Sequence, residues 1–253
     1  LVALCEVEND SVMHFLCRHT RLARLGYEYL VTHSADRRGI DVALLYQPET
    51  FALLHSGTYR VPYDSLRERP TRDLLHAAGR LPIGDTLDVF VVHFPSRRGG
   101  ATISEPYRLR AAGILRHLAD SIARRRHTPR LLAMGDFNDE PHNASVSRVL
   151  APTFAELTSH ATPLPAEGHD DIEGSYYFRG EWSRIDQILV SPTLLSPTMR
   201  FHTTPQSVHL LAFPPLLEPL SRGTLSKPFR TYLGPFYHGG ISDHLPLCID
   251  FFY

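Results

Sequence analysis

The chain has 253 residues, 43% apolar and 21% charged, a balance that permits a large core and excludes a disordered or fibrous protein. Lys and Arg number 26 against 27 Asp and Glu, so no global basic field marks a nonspecific nucleic-acid binder. No apolar run reaches membrane-spanning length, and Cys5, Cys17 and Cys248 lack metal-type spacing and read as small buried hydrophobes.

The first residues, Leu1 to Cys5, form a continuous apolar run, the pattern of a strand buried on both faces, ending in the polar stretch Glu6 to Asp10. No initiator Met or signal peptide precedes it, which leaves the compartment open: a soluble protein, with export or a periplasmic location after loss of an N-terminal segment as one option. Ser11 to Leu25 predicts a helix with Gly26 as its stop. Strands are predicted at Tyr27–Thr32, Ile40–Tyr46, Phe51–Leu54 and Leu87–Val92, and a helix over Glu105–Arg126 ends in Arg124-Arg125-Arg126, a solvated, dipole-compensating terminus. Arg130–Met134, Ile185–Val190, Met199–His202 and Leu245–Phe252 complete the predicted strands, and the Pro- and Gly-rich stretch from His202 to Ser242 is an ordered surface loop or a lid. Many strands with only two strong helices favour one mixed α/β sandwich domain over a regular βαβ array.

Polar residues recur at strand ends. Glu6 follows the first run, His93 follows Val91-Val92, Asp136 and Asn138 follow Leu131 to Met134, and Ser242-Asp243-His244 precedes the last strand. Asp186 lies within a strand, where a carboxylate is costly unless paired or bound to a metal. Each has a plain structural explanation alone: a cap, a tight turn after Gly135, a satisfied strand-end histidine. Together, Glu6, Asp136, Asp186 and Asp243 offer hard oxygen ligands that suit Mg²⁺ or Mn²⁺, although fifteen histidines keep zinc open. A carboxylate can activate water and histidines can donate to a transition state. Arg38, Arg97, Arg98 and Arg184, near these loops, suit planar recognition of phosphate oxygens or serve as surface charges.

The segments LCEVEN, RGIDVALLY, VVHFPSRRGG, MGDFNDEP, SRIDQILVS and ISDHLPL, in that order from Leu4 to Leu247, resemble the endonuclease/exonuclease/phosphatase superfamily, with wording nearest to bacterial members of unassigned substrate. The resemblance implies a DNase I-like four-layer fold, two packed, mostly antiparallel sheets flanked by helices, over residues 1–253 as a single domain. It also implies a strand upstream of Leu1 that this sequence does not contain. It implies Mg²⁺-dependent hydrolysis of phosphate esters, with Mn²⁺ as substitute: a phosphodiesterase or nuclease, or a phosphatase for a small phosphomonoester, with a non-catalytic binding domain as a third reading. Glu6 and Asp243 would be metal ligands, and Asp136 would position the water. Asn138 would hold the scissile phosphate, and His93 would stabilise phosphate or donate a proton. His244, oriented by Asp186, would contact the phosphate, with Arg38 and Arg97 as substrate contacts. The partner expected is a phosphate ester, either nucleic acid or a small phosphorylated molecule, and the expected state is a monomer.

Overall fold

The computed structural model describes residues 1–63, 70–165, 171–220 and 226–253. Strands β1 (Val2–Val7), β2 (Glu28–Val31) and β3 (Asp41–Tyr46) form an antiparallel sheet in the order β1-β3-β2, with helix α1 (Asp10–His19) between β1 and β2 in sequence. β4 (Ala52–Tyr59), β5 (Leu74–Arg80) and β6 (Thr86–His93) follow, then the long helix α2 (Ala101–Arg125), β7 (Leu131–Asp136), β8 (Ala155–Glu156) and β9 (Thr162–Leu164). β10 (Tyr176–Phe178) and β11 (Glu181–Ser183) make a hairpin, after which come β12 (Asp186–Val190) and β13 (Val208–Leu211). Two further short pairs, β14 (Leu217–Pro219) with β15 (Ser226–Pro228) and β16 (Tyr232–Leu233) with β17 (Phe236–Tyr237), precede β18 (Leu247–Ile249).

Side-chain alternation along the strands builds the layers. The central sheet runs β4-β5-β6-β7-β12-β8, and β6 and β7 are parallel because α2 carries the chain back between them. On one face of it Val89, Val91, Leu132 and Ile188 pack against Val42 and Leu44 of β3 and Leu210 of β13. On the other, Phe90, Val92, Leu131, Ala133 and Leu189 meet Ala111, Ala112, Leu115 and Ala119 of α2. Ala43 and Leu45, the opposite face of β3, pack on Met13 and Cys17 of α1. The result is four layers, helix, six strands, smaller sheets, helix, as the fold class expected.

Several elements differ from the sequence reading. The helix expected over Ser11–Leu25 breaks at Thr20, which turns to an extended conformation and caps a 3₁₀ turn over Arg21–Leu25 with its hydroxyl. α2 begins at Ala101, ahead of Glu105, and carries Pro106 inside it. β5 was absent from the expected strands because Ala, His and Gly are weak strand formers, yet it pairs on both edges. Met199–His202 yields only an isolated bridge from His202 to Phe252. Arg126 is not a solvated terminus: it folds onto the buried Asp88 at 3.1 Å, and Asp88 also holds His76 at 3.0 Å.

The first strand is not buried on both faces. Leu1 is 43% exposed and Val2 39%. Among the described residues β1 pairs only with β3, and β18 only with β13, so each sheet keeps an open edge. Those edges border a cleft of about 830 Å³, lined by Leu1 to Glu6, by Leu245 to Ile249, and by Leu132, Met134 and Ile188 of the central sheet.

One glycine ties the fold to the site. Gly135, opposite Val92 in the β6–β7 pair, sits at φ +136°, and an added Cβ would lie 2.0 Å from the Val92 carbonyl oxygen. Gly135→Ala therefore forces β7 off β6, and urea unfolding is expected to show a loss of about 2–4 kcal/mol by overpacking and backbone strain together. A midpoint equal to wild type would refute this.

Candidate active site

Strand register assembles the centre of the site. His93, last in β6, pairs with Asp136, last in β7, and Asp136 pairs in turn with Asp186, first in β12. Three adjacent strands thus present a histidine and two carboxylates in one row at one end of the central sheet. His244 joins them through an isolated bridge with Tyr176 of β10. Its Nδ1 lies 2.7 Å from Asp186 Oδ2, which also accepts from Ser175 Oγ at 2.5 Å. The Tyr176 ring rests 4.8 Å from the imidazole, and the Arg230 guanidinium lies over that tyrosine, 5.3 Å from its centroid.

Asp136 is buried, 7% exposed, and three groups answer its charge. His93 Nε2 is 3.3 Å from Oδ2. The Asn138 backbone N–H donates to Oδ1 at 2.8 Å, and its side-chain Nδ2 donates to Oδ2 at 2.9 Å and to the Phe94 carbonyl at 3.1 Å. Burial pushes the Asp136 carboxyl pKa up, but the hydrogen bond and charge of His93, the charge of His244 and the Asn138 amide outweigh it and hold the pKa below the ordinary aspartate value. His244 moves the other way. Burial opposes its charge, but Asp186, Asp136 and Asp243 together lift its pKa from 6.5 to about 10.

Glu6 lies within β1, not beyond it. A bulge between Cys5 and Val7 turns it to φ +60°, re-aiming its side chain at the open end of the site. Its Oε1 is 3.3 Å from Arg38 Nη1, and Arg38 also lies 3.4 Å from Asp36, which Arg72 holds at 3.1 Å. Asp243 is half-buried and lines the same cleft as Glu6, Asp136, Asp186 and His244. Among the described residues no three His, Cys, Asp or Glu side chains converge as a metal cage. Mg²⁺ needs none: one or two carboxylates commonly hold it while water and substrate phosphate complete the shell, so the oxygen donors of Glu6 and Asp243 suit it.

The remaining arginines are less free. Arg97 donates from Nε to the Asn138 carbonyl and from Nη2 to Asn143 Oδ1, both at 2.7 Å. Arg184 donates to the carbonyls of Glu173 at 2.6 Å and Ser159 at 2.8 Å. Ser175, Tyr176, Arg72 and Arg230 belong to the site or its rim and escaped the sequence reading. Arg72, 4% exposed, donates to the Phe94 carbonyl at 2.5 Å, and nothing in the local sequence distinguishes it from a surface arginine.

A sequence profile of the Endonuclease/Exonuclease/phosphatase family matches residues 1–252. The chain belongs to that family. Its members are hydrolases of phosphate esters and generally use divalent metals. No curated protein matches the sequence. Among solved structures, D. rerio TDP2 complexed with a single-strand DNA product is similar at a TM-score of 0.61 and 16% identity, covering 97% of this chain and 83% of its own. The human nocturnin catalytic domain with a bound sulfate anion gives 0.62 and 18%, covering 98% and 79%. A family protein from Bacteroides vulgatus gives 0.61 and 15%, covering 99% and 83%. At these identities the likeness establishes the DNase I-like fold. No helix among the described residues is long and apolar enough to cross a membrane.

The His244–Asp186 pair has a measurable signature. A histidine whose folded pKa exceeds its unfolded value stabilises the fold fully below about 6.5 and loses that contribution as pH rises through about 10. An NMR titration should place the His244 midpoint near 10 in the wild type. Asp186→Asn should move it down toward the ordinary histidine value; an unmoved midpoint would show that Asp186 does not hold the charge.

Proposed function

We propose that the protein is a Mg²⁺-dependent phosphodiesterase or nuclease, with Mn²⁺ as a substitute, acting by in-line attack of water without a covalent enzyme intermediate. The observation that carries this is the buried Asp136 carboxylate set in register between His93 and Asp186, with Asn138 and His244 around it. Glu6 and Asp243 would hold the cation, which supplies polarisation of a phosphoryl oxygen and offsets charge on the leaving oxygen. Asp136 Oδ1 accepts one N–H from Asn138 and keeps a second lone pair to orient the attacking water and take its proton. The water oxygen bonds to phosphorus as the opposite P–O bond breaks, and His93 delivers a proton to the departing oxygen. His244, charged and aimed by Asp186, contacts a phosphoryl oxygen. The Asn138 amide exchanges its bond to Asp136 for another phosphoryl oxygen, and Arg38 meets the phosphate from the Glu6 side.

The relative bound to a DNA product supports a diester, and a further structural neighbour, ANGEL2, is described as a 2',3'-cyclic phosphatase. A second reading, a phosphatase for a small phosphomonoester such as a sugar, inositol or lipid head group, draws on the near-neutral charge of −1. Counterion release makes nucleic-acid binding steeply salt-dependent. Activity that falls sharply between about 50 and 200 mM salt supports the nuclease, and a flat response supports the small substrate.

For the chemistry itself, Asn138→Ala and Asp136→Ala should each lower the diesterase rate by about a hundredfold or more, the usual loss on removing one preorganised group. Full activity in both variants would remove the assignment.

A further inference from the structure

We propose that Arg97 is a positioning residue and not a phosphate contact: with Arg108 and Asp139 it clamps the backbone behind Asn138 and sets the conformation of that residue. The proposal rests on the reading of Asn138 as the amide that holds the phosphate.

Asn138 sits at φ +50°, a left-handed conformation that a non-glycine residue keeps only when its surroundings enforce it. The enforcement is visible on both sides of the 138–139 peptide. The Asn138 carbonyl accepts from Arg97 Nε at 2.7 Å, and the next carbonyl, that of Asp139, accepts from Gln187 Nε2 at 2.8 Å. Arg97 Nη2 reaches across to Asn143 Oδ1, which also accepts the Glu140 N–H at 2.7 Å, so one guanidinium ties the start of the loop to its end. The same Nη2 lies 3.5 Å from Asp139 Oδ1.

Asp139 is anchored in its turn from α2. Arg108, 1% exposed, places Nε 2.7 Å from Asp139 Oδ1, a charge contact whose N–H is not aligned as a hydrogen bond. It donates from Nη1 to Ser104 Oγ at 2.7 Å and from Nη2 to the Ala101 carbonyl at 2.9 Å. Ser145 Oγ closes the other carboxylate oxygen at 2.7 Å. Two arginines therefore face one buried carboxylate, and the clamp spans the β6–α2 connection, α2, the Asn138 loop and β12. An Arg97 drawn forward to a phosphate would release the Asn138 carbonyl and free the backbone torsion on which the side-chain amide depends.

A positioning residue and a substrate contact separate kinetically. Arg97 side-chain exposure is 32%, so Arg97→Met is compatible with folding, confirmed by an unchanged circular dichroism spectrum. Displacement of a catalytic group by about 1 Å can cost a hundredfold, and we expect Arg97→Met to lower kcat by roughly ten- to a hundredfold with KM within about twofold of wild type. Arg97→Lys should not restore the rate, because an ammonium cannot replace the two-armed fork. Asp139→Asn should give the same kcat-only pattern. In an Asn138→Ala background Arg97→Met should cost little more, since the group it positions is gone. A rise in KM with kcat retained, or an undiminished effect of Arg97→Met in the Asn138→Ala background, would overturn the proposal. The wild type and Asn138→Ala compared alone test the underlying reading: if Asn138→Ala is fully active that reading fails, and if it is inactive while Arg97→Met raises only KM, this inference alone fails.

Discussion

Asp136 stands at the end of a central strand with almost no exposed surface, and a buried anion persists only where charge and hydrogen bonds replace the water it lost. Much of the molecule can be read as the means of that replacement. Parallel pairing of β6 with β7 puts His93 beside it, and antiparallel pairing with β12 puts Asp186 on the far side. Asp186 then holds His244, whose charge reaches back to Asp136. His93 and His244 flank the two adjacent carboxylates, and their contacts with Asp136 and Asp186 offset the cost of holding both in the sheet. No member has this setting without the sheet that fixes the register.

The parallel step is unusual in an otherwise antiparallel sheet, and it has a structural cost that α2 meets. Carrying the chain back between β6 and β7 demands a long crossover, and α2 fills it while covering the sheet face with Ala111, Ala112, Leu115 and Ala119. The same helix sends Arg108 down to Asp139, so the element that makes the parallel pairing possible also stiffens the loop that the pairing delivers.

How much of this was legible in the sequence differs by kind of feature. Apolar runs flanked by turn residues revealed most of the central strands, because a strand covered on both faces reads as continuous hydrophobicity. β5 did not, since Leu74 and Leu75 are followed by His76, Ala77, Ala78 and Gly79, whose place in the sheet comes from partners on both edges. The chemistry-bearing residues stood out by type and position at strand ends. Their mutual arrangement did not: that His93 faces Asp136, or that Ser175 and Tyr176 back up Asp186 and His244, depends on register between segments far apart in the chain. Arginines were hardest to read. Arg38 and Arg97 look alike in the sequence, yet one lies against Glu6 at the open end of the site and the other is tied to carbonyls behind it.

That contrast bears on how a chain of net charge −1 can handle an anionic ester. The cationic groups near the site are few and mostly answered: Arg72 by Asp36, Arg108 by Asp139, His244 by Asp186. At physiological ionic strength exposed charges are screened within about 8 Å, so attraction here acts on a phosphate already at the cleft and does little to gather a long polyanion from solution. Buried pairs keep their field, because little water lies between them and the bound group. Selectivity in such a site follows from the fixed directions of a few donors more than from the amount of positive charge. The backbone that aims the site's groups, the left-handed turn that sets the Asn138 amide and the bulge that sets the Glu6 carboxylate, then matters as much as the side chains themselves.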